Sequence, residues 1–221
     1  MRCRSSPDDA DLTITMQLMD DGRTLELSCE PGKDIENVRL IDDGFWITDA
    51  EGGYVVVPVR EGLLIPCDSG LSFIKRFGTF EYEGCHMEML GAVKNGSAIL
   101  LTWHDPYIVA EVRSNLHPPM VGVNQALSLS LDLARTARAV GAKFLGRGDY
   151  TTIAKAYREV AERKGWHVTW KAKMGQTPEA AKLLGASNFK LWSCLERILD
   201  ENGREKSVTV NWTFQEAAEI A

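Results

Sequence analysis

Residues 86–101 read His-Met-Glu-Met-Leu-Gly-Ala-Val-Lys-Asn-Gly-Ser-Ala-Ile-Leu-Leu, which places two apolar runs on either side of Asn95-Gly96. Asn-Gly between two such runs is typical of the tight two-residue turn that joins antiparallel strands. The stretch therefore predicts a β-hairpin, with one strand over residues 86–92 and the next over residues 98–103.

The same pattern extends outward from this hairpin, from residue 12 to about residue 130. Short alternating or β-branched runs follow one another, separated by turn signals such as Asp20-Asp21-Gly22 and Asp42-Asp43-Gly44, and no helical period is evident. The further predicted strands cover residues 13–18, 24–29, 45–48, 54–59, 63–65, 71–77, 79–82, 108–114 and 125–133. So many closely spaced strands predict a mainly β fold, a large antiparallel sandwich or barrel.

The pattern changes after Gly141. Asp149 is a suitable N-cap for a helix whose apolar residues recur with helical spacing, and Gly165 lies where a left-handed residue would end it. Thr177 followed by Pro178 predicts a second helix, to residue 185, and residues 189–195 read as a strand. We therefore expect a β-sandwich domain over residues 1–140, a helical linker over 141–186, and a strand-loop-helix unit over 187–221.

The last predicted helix begins clearly but shows no stop signal. Thr213 and Glu216 form a capping-box pattern, and Phe214, Ala217 and Ala218 begin an apolar stripe. No glycine, asparagine or basic last turn follows. We therefore expect the chain to be the N-terminal portion of a larger protein.

Composition excludes several classes of function. The chain has 221 residues, 44% of them hydrophobic, which suffices for a substantial core. The formal net charge is -6 and the basic residues are scattered, which argues against a nucleic-acid partner. No apolar run is long enough to span a bilayer, so we expect no membrane partner, and the polar start lacks the apolar stretch of a signal peptide. The compartment stays open.

Metal and cofactor chemistry find little support in the sequence. The five cysteines are widely spaced and form no Cys-x-x-Cys pair, so they read as small buried residues. Cys85-His86 and His104-Asp105 could meet across neighbouring strands and bind zinc, but the paired ligands of a structural site are missing. We predict no metal site and no cofactor.

Other motifs have ordinary structural explanations. Arg147-Gly148-Asp149 spells an adhesion tripeptide, but its aspartate lies at the start of a helix, so we interpret it as a cap. The carboxylates Glu81, Glu83 and Glu88 lie among strand residues as on a solvated face, and we interpret them as surface charge rather than a catalytic pair.

The six tryptophans need a separate interpretation, because aromatic rings fill cores and also stack on the C–H faces of sugars. Core packing explains Trp103, Trp166 and Trp170 by their positions next to predicted elements. Trp192 and Trp212 lie in the predicted strand-loop-helix unit, and we name them as candidate substrate-binding residues.

Four segments together suggest a family. They are Gly-Gly-Tyr-Val-Val-Val-Pro over residues 52–58 with Gly-Leu-Leu-Ile over 62–65, the hairpin over 86–101, Asp-Tyr-Thr-Thr-Ile-Ala-Lys-Ala-Tyr-Arg over 149–158, and Leu-Gly-Ala-Ser-Asn-Phe-Lys-Leu-Trp over 184–192. In this order they resemble the N-terminal region of large glycoside hydrolases related to the endo-α-N-acetylgalactosaminidases. One departure is the Val-Arg-Glu-Gly after Pro58, where related sequences often carry Asp-Gly-Ser-Gly.

The resemblance implies a galactose-mutarotase-like supersandwich, a helical linker and the first β/α unit of a truncated (β/α)8 catalytic barrel. The parent protein would then be a glycosidase acting on O-glycosidic bonds. Its two catalytic carboxylic acids would come from later barrel strands, so we assign no catalytic residue to this chain. Two alternatives stay open: a carbohydrate-binding module, and a structural or protein-interaction domain without sugar chemistry.

Overall fold

A computed structural model describes residues 2–4, 12–31, 37–78, 84–104, 108–134, 139–177, 179, 182, 185, 195–201 and 205–220. The chain divides into two compact units, Met1–His167 and Val168–Ala221, which we call the first unit and the second unit. None of the helices in the part of the chain described has both the length and the apolar character needed to cross a membrane.

Within its described residues, the first unit contains β-strands and one helix. Their bounds are β1 Arg2–Arg4, β2 Leu12–Leu18, β3 Thr24–Pro31, β4 Asn37–Thr48, β5 Gly53–Val57, β6 Leu63–Pro66, β7 Phe73–Gly78, β8 Met89–Lys94, β9 Ser97–Trp103, β10 Val109–Leu116, β11 Gln125–Ala134, β12 Ala139–Arg147 and α1 Tyr150–Arg163. These bounds follow most of the predicted strands to within a few residues. The predicted strand over residues 79–82 lies outside the described residues.

Two antiparallel sheets pack face to face. One has eight strands in the order β1-β2-β3-β12-β9-β8-β5-β6, and the other has four in the order β4-β11-β10-β7. The side chains between them form one apolar core, which includes Val55, Leu101, Val112, Leu127 and Leu131. In β10 and β11 alternate residues point into this core, as the period of a strand requires. The predicted mainly β, antiparallel sandwich is therefore confirmed.

The hairpin predicted at Asn95-Gly96 joins β8 to β9. Asn95 has φ of 47° and Gly96 φ of 68°, so both turn residues adopt the left-handed conformation of the favoured two-residue hairpin turn. Lys94 pairs with Ser97 across the turn. The first strand begins at Met89, slightly later than predicted.

The Asp42-Asp43-Gly44 signal does not end a strand, which corrects the prediction of a turn there. β4 runs through it, and the register shifts along β11 leave more residues on β4 than on its partner. Asp43 and Phe45 have positive φ, at 43° and 56°. The local turn propensity therefore appears as bulges within a long strand.

β12 was not predicted, and it corrects the expected start of the helical linker at residue 141. It lies between β3 and β9 near the middle of the larger sheet, and Val140 and Ala142 are buried in the core. Gly141 and Gly146 interrupt the apolar alternation that would have revealed it. Residues 141–147 belong to the sheet, while the division into three domains stays a prediction.

The predicted helix is α1. The Asp149 carboxylate accepts a hydrogen bond from the Thr152 N–H at 3.0 Å, which confirms the cap interpretation of the tripeptide. At the other end the Gly165 N–H donates to the Glu162 carbonyl and the Trp166 N–H to the Ala161 carbonyl, with φ of 71° at Gly165.

The helix α1 packs on the outer face of the larger sheet. Its buried residues Ile153, Ala156 and Tyr157 form a second apolar cluster with Met89 and Leu100 of β8 and β9. The larger sheet is therefore covered on both faces where α1 lies.

The second unit contains α2 Trp170–Gln176, β13 Leu195–Leu199, β14 Glu205–Val210 and α3 Phe214–Ile220. β13 and β14 form an antiparallel hairpin. The capping box of α3 is confirmed: the Thr213 N–H donates to Glu216 Oε2 at 2.8 Å, and the Glu216 N–H donates to Thr213 Oγ1 at 3.2 Å.

The second unit contains one helix that was not predicted, α2. Thr169 caps its start by accepting a hydrogen bond from the Ala172 N–H at 3.2 Å, and Thr177 follows its last residue. Most of the predicted helix over 178–185, and all of the predicted strand over 189–195 except its last residue, lie outside the described residues.

Candidate functional site

The two predicted substrate-binding residues belong to the second unit. Trp212 lies between β14 and α3 and is 45% exposed. Trp192 lies outside the described residues. Sugar contact by these two tryptophans stays a prediction.

The tryptophans assigned to packing divide into two groups. Trp103 is buried in the core, as predicted. Trp166 and Trp170 are both more than half exposed, so the packing interpretation is wrong for them. The Lys164 ammonium lies 4.0 Å from the centre of the Trp166 ring, a cation–π contact near the end of α1.

The residues considered as zinc ligands have other surroundings. Burial raises the pKa of the half-buried Cys85 thiol to about 12, so it stays protonated at neutral pH, and a thiol must ionise to bind a metal. His104 Nδ1 lies against Lys164 Nζ, and Asp105 is not among the described residues. In the part of the chain described, no group of three or more His, Cys, Asp or Glu could hold a metal ion.

Glu88, interpreted from sequence as surface charge, is mostly covered. Its Oε2 accepts a hydrogen bond from Lys164 Nζ at 3.4 Å, and its backbone N–H donates to the Tyr157 hydroxyl at 3.2 Å. Glu88 therefore ties the chain before β8 to α1, which is a structural role.

A charged network covers the outer side of the four-stranded sheet. We call it the arginine face and define it by Arg39, Arg76, Glu111, Arg113 and Asp132, which come from all four strands. Arg39 donates two hydrogen bonds to Asp132, from Nε to Oδ1 at 2.6 Å and from Nη2 to Oδ2 at 3.0 Å. Arg76 Nη2 donates to Asp132 Oδ2 at 2.9 Å, and Arg113 Nη2 donates to Glu111 Oε1 at 3.2 Å.

This geometry gives both carboxylates of the arginine face guanidinium partners. Glu111 is only 4% exposed, and guanidinium groups from Arg39 and Arg113 reach its two oxygens. Arginine side chains from three strands, β4, β7 and β10, therefore hold these two carboxylates. The arginine face is suited to holding the strands of the sheet together.

Hydrogen bonds lower the pKa of several carboxyls elsewhere in the described residues. The Thr24 hydroxyl and two backbone N–H groups lower the pKa of Asp21 to about 2. The pKa is lowered likewise in the other described carboxyls that depart from their ordinary values, namely Asp49, Glu51, Asp149 and Glu216. These carboxyls stay ionised, so they are hydrogen-bond acceptors rather than proton donors.

An open cleft lies at the end of the sandwich where the β8–β9 turn is located. We call it the sandwich-end cleft; its volume is about 430 Å³. It is lined by the aromatic residues Phe45, Trp46 and Phe144, the apolar residues Ile47, Ala92, Ala98 and Ile99, and the polar residues Glu51, Lys94, Asn95 and Ser97. Aromatic and polar side chains from four separate chain segments therefore meet in one concave surface.

An ion pair fixes the polar side of this cleft. Lys94 Nζ lies 3.0 Å from Glu51 Oε2, and the Thr48 hydroxyl donates to the same oxygen at 2.9 Å. The hydrogen bond from Lys94, followed by that from Thr48, lowers the pKa of Glu51. The pair contributes no net charge to the rim of the cleft.

Sequence reasoning missed the sandwich-end cleft. Phe45 was assigned to a short strand after a turn, and Phe144 to a helical linker. β4 and β12 are far apart in sequence, and only the packing of the two sheets brings these rings together.

A larger cleft, of about 600 Å³, lies between α1 and the larger sheet. Its central Lys143 Nζ lies 3.5 Å from Glu159 Oε2 and 3.8 Å from Asp21 Oδ2. Lys143 is therefore paired with two carboxylates, and the cleft lacks the aromatic lining of the sandwich-end cleft.

Comparisons with known proteins place the fold. No protein-family model matches the chain, and no curated protein matches it. Solved structures of the α-N-acetylgalactosaminidase NagBb from Bifidobacterium bifidum are similar. Its quadruple mutant matches with a TM-score of 0.68 and 16% identity over 97% of this chain and 37% of that chain. Its Gal-NHAc-DNJ complex matches with a TM-score of 0.65 and 16% identity, over 96% and 36%.

The GalNAc complex of the same enzyme matches with a TM-score of 0.56 and 16% identity over 81% of this chain and 32% of that chain. This chain thus spans little more than a third of the length of the NagBb chains it matches. A glycosidase-like fold, expected from the family resemblance, is confirmed at the level of architecture. The particular family stays a prediction.

Proposed function

We propose that the chain is a non-catalytic, N-terminal region of a glycoside hydrolase acting on O-glycosidic bonds. The observation that carries the proposal is the match of 97% of the chain to part of a glycosidase, at a TM-score of 0.68. In this proposal the first unit is a galactose-mutarotase-like supersandwich that supports a catalytic barrel and borders its substrate cleft. A carbohydrate is the partner, bound mainly through that barrel.

The second unit would contain the opening of the barrel. β13 and β14 pair antiparallel, whereas neighbouring barrel strands are parallel. The proposal therefore assigns the first barrel strand to residues 189–195 and interprets the hairpin as an insertion before α3.

The electrostatics of the described residues support a non-catalytic role. Glycoside hydrolysis needs two carboxyl groups on either side of the scissile bond, one of them protonated. Glu111 and Asp132 are held by arginines, and the shifted carboxyls elsewhere are held in the ionised form. The proposal therefore assigns the catalytic pair to sequence beyond this chain.

A hydrolysis assay tests the proposal. The purified chain is incubated with chromogenic aryl glycosides of α-N-acetylgalactosamine, α-galactose and β-galactose, and we expect no release above the buffer rate. Turnover that disappears in Glu111→Gln but persists in the matched surface variant Glu162→Gln would place catalysis on the arginine face and overturn the proposal.

A carbohydrate-binding module is the second candidate. The observation that favours it is the sandwich-end cleft, where three aromatic side chains and a fixed ion pair line one concavity. The two candidates are compatible if a sandwich that supports a barrel also holds part of the glycan.

A further inference from the structure

We propose that the sandwich-end cleft binds an uncharged sugar residue of a glycan. The inference rests on the proposed function for the class of ligand. The side chains that line the cleft would provide the recognition.

The aromatic lining suits the apolar side of a pyranose ring. The ring C–H groups carry a small positive charge and are attracted to the negative face of an aromatic side chain. Phe144 is 51% exposed although its neighbours Val140 and Ala142 on the same side of β12 are buried. It lies in the part of the larger sheet that faces the cleft, where a ligand could cover it. Phe45 and Trp46 line the same cleft from β4.

The polar side of the cleft suits sugar hydroxyls. A hydroxyl both donates and accepts, so a pair of adjacent hydroxyls is matched by a carboxylate next to an ammonium group. Glu51 and Lys94 form such a pair at 3.0 Å. An ionised carboxylate has about four acceptor positions, and Lys94 and Thr48 share one of its oxygens, so capacity for a ligand hydroxyl is left on Glu51.

The charge balance selects a neutral ligand. Lys94 is the cation and Glu51 the anion among the charged residues that line the cleft. An anionic sugar would gain from Lys94 only by competing with Glu51, and its own carboxylate would be repelled by Glu51. A neutral hexose or N-acetylhexosamine meets no such penalty.

The backbone of the cleft is held in place before any ligand arrives. Phe45 has φ of 56°, a conformation that is uncommon for a bulky residue and that recurs at ligand-binding positions. The bulges of β4 impose it, and the pairing of β4 with β11 maintains it. A wall that is ordered in advance loses little conformational entropy on binding. The cleft volume of about 430 Å³ lies within the range of small-molecule sites.

Calorimetric titration of the full chain tests this inference. The ligands are methyl α-N-acetylgalactosaminide, methyl α-galactoside and methyl β-glucoside, with methyl β-glucuronide as the anionic comparison. We expect at least one neutral glycoside to bind with Kd on the order of 1 mM, and the glucuronide to bind about tenfold more weakly or not at all.

Variants locate the site. Phe144→Ala removes an exposed ring, and Glu51→Gln removes the acceptor charge with little change of shape. Each should weaken binding about tenfold or more, while the melting temperature stays close to that of the wild type for at least one of them. The matched controls Trp166→Ala and Glu162→Gln alter an exposed aromatic residue and an exposed acid that do not line the cleft, and should leave Kd within about twofold.

Three results would overturn the inference: no binding of any neutral glycoside at about 50 mM ligand, equal binding of the glucuronide, or equal loss of affinity in Trp166→Ala and Phe144→Ala. Each is distinguishable from failure of the proposed function. Hydrolysis by the chain would contradict its non-catalytic role without removing the cleft, whereas absence of binding would leave that role intact.

Discussion

The first and second units of this chain are stabilised in different ways. The first unit encloses an apolar core between two sheets, and many of its core side chains, such as Leu101 and Leu129, are fully buried. In the second unit no described side chain is buried, and the elements formed by its described residues are a hairpin and two seven-residue helices with capped starts. Apolar burial contributes about 25 cal/mol per Å², whereas one hydrogen bond contributes only about 0.5–1.5 kcal/mol net. The units should therefore respond differently to the same substitution.

The two units should differ most in the free energy of unfolding that they lose when an apolar side chain is truncated. Leu101→Ala leaves a cavity between the sheets and should reduce the free energy of unfolding of the first unit by about 2–5 kcal/mol. The matched change Val210→Ala removes a side chain that is 60% exposed on β14, and should cost less than about 1 kcal/mol. Urea titration followed by amide hydrogen exchange in each unit gives both values.

Equal losses of unfolding free energy in Leu101→Ala and Val210→Ala would show that Val210 is as well packed as the core of the sandwich. The difference between the units would then be smaller than their burial indicates.

Replacing a glycine by alanine should change stability in opposite directions in the two units. In Gly91→Ala the new methyl would lie 2.8 Å from Ile153 Cγ2 and 3.3 Å from Val56 Cβ, so either the Ile153 side chain or α1 must move. We expect a loss of about 1–3 kcal/mol. In Gly175→Ala the methyl of α2 meets nothing within 4 Å, so the higher helix propensity of alanine should increase helix stability by about 0.5–1 kcal/mol.

Thermal unfolding monitored by circular dichroism measures both glycine variants. A neutral Gly91→Ala would mean that Ile153 adapts without cost, and the close approach of α1 to β8 would then not be a constraint on the sequence.

The smallest expected difference is in how the two capped helices, α1 and α3, lose stability in acid. The pKa values of Asp149 and Glu216 are lowered in the folded chain by hydrogen bonds from the backbone and from threonine hydroxyls. Their contributions are therefore complete above the ordinary carboxyl pKa of about 4, and are lost as pH falls through the lower folded values. α1 keeps the packing of Ile153 at low pH, whereas no described side chain of α3 is buried.

Carbon chemical shifts of each helix, recorded from about pH 6 to about pH 2, measure this loss. We expect α3 to lose helicity before α1, and Asp149→Asn and Glu216→Gln to reduce the pH dependence of their own helices. Simultaneous loss in both helices would indicate that packing of Ile153 adds little to α1.

Local signals were predicted well because their causes lie within a few residues. Asn95-Gly96 specifies its turn through backbone conformation, and Asp149 specifies the start of α1 through one side chain. β12 was missed for the opposite reason. Its glycines weaken the alternating pattern, and its position depends on pairing with β3 and β9, which lie far away in sequence.

The arginine face and the sandwich-end cleft were not visible in the sequence. Arg39, Glu111 and Asp132 each read as an ordinary strand charge, and only the register of β4, β10 and β11 brings them into one network. Phe45 and Phe144 meet only because β4 and β12 belong to different sheets that pack together.

The amino-acid order by itself determined the β character, the turns and the helix caps of this protein, because backbone conformation and short-range hydrogen bonds depend on neighbouring residues. Tertiary structure alone decided which strands pair, which carboxylates arginines neutralise, and where aromatic rings gather around a cleft. Those properties depend on contacts between distant segments, which form only when burial of the apolar faces brings the two sheets together.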